Sequence, residues 1–323
     1  FSGGKKGAIV GEEARAALVA QGCKVELRPT ERPGHATELA ADADAADFDV
    51  VAPVGGDGTV HEVVNGMLTA VMRGERDLTS VPVLAPIPCG SGNTFAYDLG
   101  IRNVEDALRN IAEFVVRRID VLELTQPQDD VPSICPPQQT APPLFHHTPP
   151  QQFAINIVGV GLSSSVLRRA NNLRCCGGAK YNCAAYCEII SLPRYVVELE
   201  AAGEAATRGP YSMVQANLTV HMGEKMSFAP RARLDDGLVD VVSIKHSGRG
   251  AAVKAMEAAK TGTHVDLPVV EYLQVGDIII RPVPGEGSAA AVGDNTANVD
   301  GELSGFTPVR IKCLPRVLRV LSG

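Results

Sequence analysis

The chain has 323 residues, of which 45% are hydrophobic, and its 30 Lys and Arg residues against 37 Asp and Glu residues give a formal net charge of −7. This length predicts two domains with a sizeable core, and the acidic balance argues against a nucleic-acid partner. No segment approaches the roughly 18–20 uncharged apolar residues of a membrane-spanning helix, so we expect a cytoplasmic protein that is soluble or peripheral to membranes.

Helical and strand-like segments alternate in the first part of the chain. The helical spacing of apolar residues predicts helices at 7–21, 33–46 and 59–73. Alternating or continuous apolar runs predict strands at 23–28, 50–54 and 81–87. Because strand, turn and helix follow one another, we predict an α/β domain over residues 1–120, built on a mostly parallel sheet.

The pattern changes near residue 120. Residues 126–152 are rich in Pro and Gln, which predicts a disordered insertion. The segments that follow are mainly strand-like, at 153–158, 211–220, 238–244, 265–273, 276–281 and 307–313, with helical stretches at 179–193 and 249–260. We therefore predict a largely antiparallel β domain over residues 121–323.

Eight cysteines lie at irregular spacings without CxxC pairs. Their pattern favours reduced, buried thiols in a cytosolic-type environment. A zinc site at the cluster Cys175, Cys176, Cys183 and Cys187 is the less favoured alternative.

Two glycine-rich loops each follow an apolar strand and precede a helix. The first is GGDGT at residues 55–59, and the second is CGSGN at residues 89–93. Glycines let backbone N–H groups approach a ligand closely, and a helix N-terminus adds unpaired donors, so each loop favours phosphate. Both loops belong at the C-terminal edge of a parallel sheet, where open α/β sheets bind ligands.

Asp57 places a carboxylate within the first glycine-rich loop, where phosphate is favoured. A carboxylate there is useful for metal ligation or for accepting a proton from an attacking hydroxyl. The plainer alternative is a strand-to-helix turn in which Asp57 caps its helix. Neither loop is a Walker A motif or a GxGxxG fingerprint.

The ordered set of motifs resembles the diacylglycerol kinase catalytic domain family, which includes the diacylglycerol, sphingosine and ceramide kinases. The matching segments are FSGGKKG (1–7), TERPGHATELA (30–40), GGDGTVHEVVNG (55–66), GSGN (90–93) and NVDGELSG (298–305). The resemblance spans nearly the whole chain apart from the insertion. It implies an α/β nucleotide-binding domain, like that of NAD kinase and phosphofructokinase, followed by a β-sandwich lipid-binding domain.

The resemblance also implies the cofactors ATP and Mg²⁺ and a membrane lipid as substrate. Motif matching assigns the nucleotide to Ser2, Gly3, Thr30, Gly55, Gly56, Gly58, Thr59, Glu62, Ser91, Gly92, Asn93, Arg174 and Lys180. Arg174 and Lys180 would offset charge that develops on the transferred phosphoryl group. Ordinary solvated surface is the alternative for these two cations.

Three acids are the catalytic candidates. Asp57 matches the base assigned in one branch of the family, and Glu302, in Asp300-Gly301-Glu302, matches the base assigned in another. The metal ligands stay unknown. A structural Mg²⁺ near Asp236 is not expected, because Arg233 replaces an acid of that site. His61, in the helix after Asp57, is more simply interpreted as a solvated or capping residue than as a catalytic one.

The lipid is a neutral one in the favoured interpretation. A sphingoid ammonium group calls for a paired carboxylate, and residues 161–187 contain no Asp or Glu, with Leu167 near the position concerned. Diacylglycerol or ceramide is thus favoured, and a sphingoid base stays open. A catalytically inactive lipid-binding or nucleotide-binding relative, or an NAD kinase, are the rival functions. The family pattern places a strand before Phe1, so we expect the chain to lack that strand.

Overall fold

The computed structural model describes residues 5–127, 151–173, 180–192, 194–203, 205–223, 225–283 and 296–323. The helices of these residues are α1 (Lys5–Ala20), α2 (His35–Ala41), α3 (Asp57–Met72), α4 (Thr94–Asp98), α5 (Val104–Glu113), α6 (Leu162–Asn172), α7 (Lys180–Ser191) and α8 (Arg249–Ala259). None of the helices in the described ranges is both long and apolar enough to cross a bilayer.

The strands of the first half are β1 (Val50–Val51), β2 (Val54–Gly55), β3 (Val83–Leu84), β4 (Ile87–Pro88) and β5 (Val116–Thr125). The later strands are β6 (Gln151–Ala154), β7 (Ile157–Gly161), β8 (Tyr195–Ala201), β9 (Thr207–Asn217), β10 (His221–Met222), β11 (Met226–Ser227), β12 (Val239–Lys245), β13 (Val270–Val275), β14 (Asp277–Pro282), β15 (Thr296–Val299), β16 (Glu302–Phe306) and β17 (Val309–Leu321).

The first half combines parallel strands with covering helices. β1 pairs with β3 and β2 pairs with β4, both in parallel. α3 packs against α2 through Gly66, where a Cβ would lie 2.2 Å from the carbonyl oxygen of Thr37. Only glycine allows so close an approach of the two helices. The apolar stripe of α3 is buried, as its helical spacing predicts.

The second half is antiparallel, and one long sheet joins it to the first. The main order is β1-β3-β17-β14-β8-β9-β7-β15-β16, with β12 between β9 and β13, and with β5 between β17 and β6. β17 pairs in parallel with β3 and antiparallel with β5 and β14. The α/β and β-sandwich architecture is as expected. The boundary at residue 120 stays a prediction.

Several local predictions differ from the structure. Residues 23–28 form no strand, because β1 ends the sheet and no ladder of backbone hydrogen bonds reaches them. Residues 263–266 form a 3₁₀ turn before β13, so only the end of the strand predicted at 265–273 exists. Gln151 and Gln152 already belong to β6 and pair with β5. The rest of the predicted Pro/Gln insertion, from 128 to 150, lies outside the described residues.

The cysteines are less buried than the sequence suggests. Cys313 is buried, whereas Cys23, Cys183 and Cys187 are exposed, and each of these is a free thiol. The prediction of buried thiols is therefore wrong for these three. Cys175 and Cys176 lie outside the described residues, so the zinc alternative is not tested by geometry.

Candidate active site

The two glycine-rich loops meet backbone to backbone. Because β2 and β4 are parallel neighbours, both loops leave the same edge of the sheet. A Cβ built on Gly90 would lie 2.4 Å from the Cα of Gly56, closer than atoms of this kind approach one another. Position 90 therefore requires glycine, and a Cβ on Gly56 would also be tight, at 3.2 Å from the Cα of Gly90. The paired loops expose their backbone to one shared space.

Asp57 joins these two loops. Its Oδ2 accepts a hydrogen bond from the backbone N–H of Thr94 and its Oδ1 accepts one from that of Phe95, both at 3.0 Å. The carboxylate thus caps α4, not its own helix α3. Burial raises the pKa of the Asp57 carboxyl; the two amides oppose this, and the nearby Asp300 adds to it.

Asn93 stiffens the second loop. Its backbone is left-handed, with φ of 53°, which asparagine tolerates better than most residues. Its side-chain oxygen accepts from the N–H of Gly90, and its side-chain nitrogen donates to the carbonyl of Gly90, each at 2.8 Å. This leaves Ser91 and Gly92 at the surface of the shared space.

Glu62 and Thr30 lie on the other side of α3. Oε2 of Glu62 accepts from the N–H of Ala36 at 3.2 Å, at the start of α2, where the capping residue Gly34 has no side chain. Thr30 and Thr59 border a cavity of about 430 Å³ between α1 and α2. Thr30, which motif matching assigned to the nucleotide, thus lies beside the helix that follows the first glycine-rich loop.

The Asp300-Gly301-Glu302 segment forms the tight hairpin between β15 and β16. Asp300 and Gly301 have φ of 51° and 93°, as the favoured two-residue hairpin turn requires. The Asp300 carboxylate is buried and accepts from the N–H groups of Ile155, Asn156 and Ile157 at 2.8–2.9 Å. This network fixes the direction in which Glu302 leaves the turn.

His61 completes the network from α3. Its Nδ1 lies 2.8 Å from Oδ2 of Asp300, and its Nε2 lies 3.2 Å from the side-chain nitrogen of Gln152. Because the carboxylate can only accept and the amide nitrogen can only donate, the proton of the neutral ring belongs on Nδ1. His61 is 8% exposed, so its interpretation as a solvated residue is wrong.

Glu302 points toward the first glycine-rich loop. Its Oε1 lies 3.5 Å from the position that a Cβ on Gly58 would occupy. Within the described part of the chain, its carboxylate accepts no hydrogen bond, unlike those of Asp57 and Asp300, and the residue is exposed. Desolvation by the surrounding protein raises the pKa of this carboxyl, Glu62 adds to the rise, and His61 opposes it.

A single cavity of about 1060 Å³ extends from this acid. Its polar part is lined by Lys6, Gly56, Gly58, Thr59, Ser91, Gly92, Asp57, Asp300 and Glu302. Its apolar part lies against the second hydrophobic cluster of the protein and is lined by Leu162, Val166, Leu167, Ile189, Met213, Met222, Phe228, Ile244 and Met256. In the described lining, every carboxylate belongs to the polar part.

Sequence reasoning missed two polar contributors to this cavity. Lys6 supplies a cation at the polar part; it belongs to the FSGGKKG segment, which the sequence analysis used only for Ser2 and Gly3. His221 lines the cavity next to Met222, and its Nδ1 and backbone N–H both contact the carboxylate of Asp98. A contact between residues 123 positions apart leaves no local pattern that could have predicted it.

The structure brings together the predicted residues Gly56, Asp57, Gly58, Thr59, Ser91, Gly92, Asp300 and Glu302 around the polar part of the cavity. Gly55 ends β2, buried behind the loop. Lys180 begins α7, but its side chain is outside the described residues, as are Ser2, Gly3 and Arg174.

The described residues offer few free ligands for a metal. In the described ranges, no three His, Cys, Asp or Glu side chains converge on a possible metal site. The oxygens of Asp57 and Asp300 are already engaged by backbone N–H groups. This fits Mg²⁺ carried by nucleotide phosphates with one or two carboxylates, and not a cage made by the protein alone.

Comparison with known families gives two matches. Residues 1–124 match the model of the diacylglycerol kinase catalytic domain, and residues 156–322 match that of the YegS C-terminal NAD kinase beta sandwich-like domain. The ranges cover both halves of the cavity.

Similar proteins include a diacylglycerol kinase of Bacillus subtilis, 26% identical over 93% of this chain and 86% of its own length. Sphingosine kinase 1 of Arabidopsis thaliana is 23% identical over 87% of this chain, which spans only 62% of that relative. A crystal structure of a putative diacylglycerol kinase from Bacillus anthracis has the same fold, with a TM-score of 0.67 at 22% identity, covering 91% of this chain and 83% of its own.

Proposed function

Since the chain belongs to the lipid kinase family that joins a diacylglycerol kinase catalytic domain to a YegS-type C-terminal domain, we propose that it transfers the γ-phosphate of ATP to a hydroxyl of a neutral membrane lipid. Diacylglycerol and ceramide are the favoured acceptors. One observation carries this proposal: a single cavity has phosphate-type loops and a carboxylate in one part and an apolar lining in the other. The phosphates of ATP match the glycine-rich loops, and the apolar chains of a lipid match the apolar lining.

The nucleotide belongs at the paired glycine-rich loops. Their backbone N–H groups and the N-terminus of α3 favour phosphate. Lys6 adds a positive charge at the same part of the cavity. Magnesium bound to the phosphates would neutralise charge on the phosphoryl group. The cavity beside Thr30 is open to the base of the nucleotide.

Glu302 is the favoured general base. It is the acid whose oxygens are uncommitted within the described residues, and its raised pKa brings it closer to that of an effective base. It would take the proton of the lipid hydroxyl while that oxygen attacks the γ-phosphorus. The bond from the γ-phosphorus to the bridging oxygen breaks, and ADP leaves with that oxygen. Asp57 and Asp300 position the loops and the turn around this acid.

The favoured lipid is neutral because of where the carboxylates lie. The described apolar lining has no acid to pair with an ammonium group, and Leu167 occupies part of that wall. Burying an unpaired ammonium would cost several kcal/mol on the scale of buried charges. A glycerol or ceramide hydroxyl carries no such charge.

A lipid panel tests the proposal. The full chain is incubated with magnesium and γ-labelled ATP in mixed micelles of diacylglycerol, ceramide, sphingosine or monoacylglycerol, with NAD as a further acceptor. We expect label in the diacylglycerol or ceramide product, and about 10²–10⁴-fold slower labelling with the Glu302→Gln variant. Selective labelling of sphingosine would refute the neutral-lipid assignment. Label in NAD, or in no acceptor, would refute the lipid kinase proposal itself.

A further inference from the structure

The solvent side of α7 is apolar. Tyr186, Cys187 and Ile190 lie three, four and seven residues after Cys183, which places all four on one helix face. All four are exposed, and the exposed fraction of Ile190 is 66%. This spacing ordinarily marks the face that a helix buries.

The opposite side of the same helix lines the cavity. Ala185 and Ile189 contribute to its wall, and Ala184 is fully buried. α7 is therefore apolar on both faces, although, among the residues that the structure describes, only one of them is covered by protein. A helix that is apolar all round needs a second apolar environment.

α8 extends the exposed apolar surface. Arg249 donates to the carbonyl of Ile190 at 2.6 Å, and Tyr186 donates to Glu257 at 2.6 Å, so the two helices run antiparallel. Val253 lies midway between Arg249 and Glu257 on the same face of α8, and 37% of it is exposed. We call Cys183, Tyr186, Cys187, Ile190 and Val253 the docking face.

The charge around this face opposes that of the whole chain. Segments 180–191 and 249–260 contain the cations Lys180, Arg249, Lys254 and Lys260 against the acids Glu188 and Glu257. Glu188 is buried and is paired with Arg169. The chain as a whole has a net charge of −7. A local positive balance beside apolar and tyrosine side chains is suited to an anionic bilayer surface.

We propose that the docking face rests on a lipid bilayer that contains anionic lipids. The inference rests on the proposed function for its purpose, since the helices that would touch the bilayer also wall the apolar cavity. Tyr186 and Ile190 would enter the interface between headgroups and chains, and Arg249 and Lys254 would lie at the level of the phosphates. This binding does not require catalysis.

Vesicle binding without ATP tests this directly. The full chain is sedimented with vesicles of phosphatidylcholine alone or with phosphatidylglycerol added. We expect Ile190→Glu to lower the bound fraction about tenfold, because a charged side chain replaces a buried apolar one. The matched control is Ile9→Glu on α1, whose isoleucine is 58% exposed, and it should change binding less than twofold.

A charge-reversal variant tests the electrostatic contribution of the docking face. Lys254→Glu should weaken binding to phosphatidylglycerol vesicles about tenfold and leave binding to pure phosphatidylcholine unchanged. Val253→Glu on α8 tests the apolar contact in the same way as Ile190→Glu on α7, and it should also lower the bound fraction. Circular dichroism and melting temperature verify that each variant is folded.

Several results would overturn the inference. Ile190→Glu and Ile9→Glu could weaken binding equally, or neither could weaken it. Ile190→Glu could instead turn a dimer into a monomer without altering vesicle binding, which would make the face a contact between two copies. Loss of vesicle binding by Ile190→Glu with no phosphorylation of any lipid by the wild type would support the docking face and refute the proposed kinase activity.

Discussion

Nδ1 of His61 lies 2.8 Å from Oδ2 of Asp300, a contact between residues 239 positions apart in the chain. It joins the helix of the first glycine-rich loop to the hairpin that presents Glu302. Asn65, one turn further along α3, donates to the carbonyl of Phe153 and accepts from its N–H, both at 2.9 Å. The two halves of the cavity are therefore held in register by side chains of a single helix.

Replacing Asp300 by asparagine tests this junction. Asparagine keeps the shape and tolerates the left-handed backbone, but its NH₂ group would face N–H donors that now have an acceptor. We expect a loss of about 2–4 kcal/mol in the free energy of unfolding and a fall in kcat. Denaturant unfolding and steady-state kinetics measure both. Asp277→Asn, which breaks a surface ion pair with Arg310, should cost less than about 1 kcal/mol.

Glu302→Gln tests the base. Because the side chain is exposed, we expect a normal melting temperature, while kcat should fall about 10²–10⁴-fold with little change in the KM for ATP. Glu105→Gln, an exposed acid on α5, is the control. A Glu302→Gln enzyme that turns over at the wild-type rate would remove the base from our mechanism.

The pH profile gives a second readout of Glu302. The carboxylate must be ionised to accept a proton, and its pKa is raised above the ordinary value of 4.5. The rate should consequently fall as the pH decreases through that raised pKa, so the acidic limb of kcat/KM lies above 4.5. An acidic limb at or below the ordinary value would contradict this assignment.

Gly90→Ala tests the contact between the two loops. The new Cβ would lie 2.4 Å from Cα of Gly56, so the backbone must separate there. We expect the Kd for ATP to rise at least tenfold, measured by calorimetry, with loss of some stability. Gly276→Ala is the control, since its nearest neighbour would be a carbonyl oxygen at 3.9 Å. Unchanged ATP binding in Gly90→Ala would show that the loops do not hold the nucleotide.

A pair of adjacent substitutions tests the apolar part of the cavity. Ala252 lines it, whereas Ala251, its neighbour on α8, does not. Ala252→Phe should raise the KM for a long-chain lipid several-fold and leave the KM for ATP unchanged, because the added ring occupies space needed by the chain. Ala251→Phe should have little effect on either constant. Equal effects of the two would indicate that the lipid binds elsewhere.

Asp240 links stability to pH. Its carboxyl is buried on β12, where Oδ1 accepts from Tyr272 and Gln274, and where Oδ2 has no partner among the described residues. Burial raises its pKa to about 6 from the ordinary 3.8. The folded protein thus holds this proton more tightly, and the stability it contributes is lost as the pH rises from about 4 through 6.

Asp240→Asn should remove that dependence. The difference in free energy of unfolding between the variant and the wild type should shift in favour of the variant by about 1–2 kcal/mol when the pH is raised from 5 to 8. Urea unfolding at the two pH values measures the difference. An identical pH dependence of the two proteins would show that Asp240 does not titrate in this range.

The sequence predicted those parts of the site that are local. Gly56, Gly58 and Gly92 belong to short motifs between an apolar strand and a helix, and the structure brings them to one edge of the sheet as expected. The role of Asp57 was not predictable in this way, because its partners are the amides of α4, 37 and 38 residues away. Residue type indicated an acid at the site, but not what its oxygens contact.

The incorrect predictions also concern contacts between residues that are distant in the chain. Residues 23–28 alternate like a strand, yet a strand exists only where a neighbour supplies hydrogen bonds, and none reaches them. His61 is a polar residue on a helix, and its burial depends on Asp300 and Gln152, which come from a distant hairpin turn and a distant strand. Hydrophobic periodicity predicts one helix or strand at a time. Strand pairing at 23–28 and the burial of His61 depend instead on contacts with other elements of the fold.

β17 pairs with β3 as well as with β5 and β14. The parallel strand β3 of the first half therefore has a neighbour that follows it by more than 200 residues in the sequence. During synthesis, β3 would emerge from the ribosome more than 200 residues before β17, the strand that pairs with it. Such distant pairing slows folding and prolongs exposure of unpaired edges. The protein should therefore depend on chaperones during synthesis more than a chain with separately folding halves would.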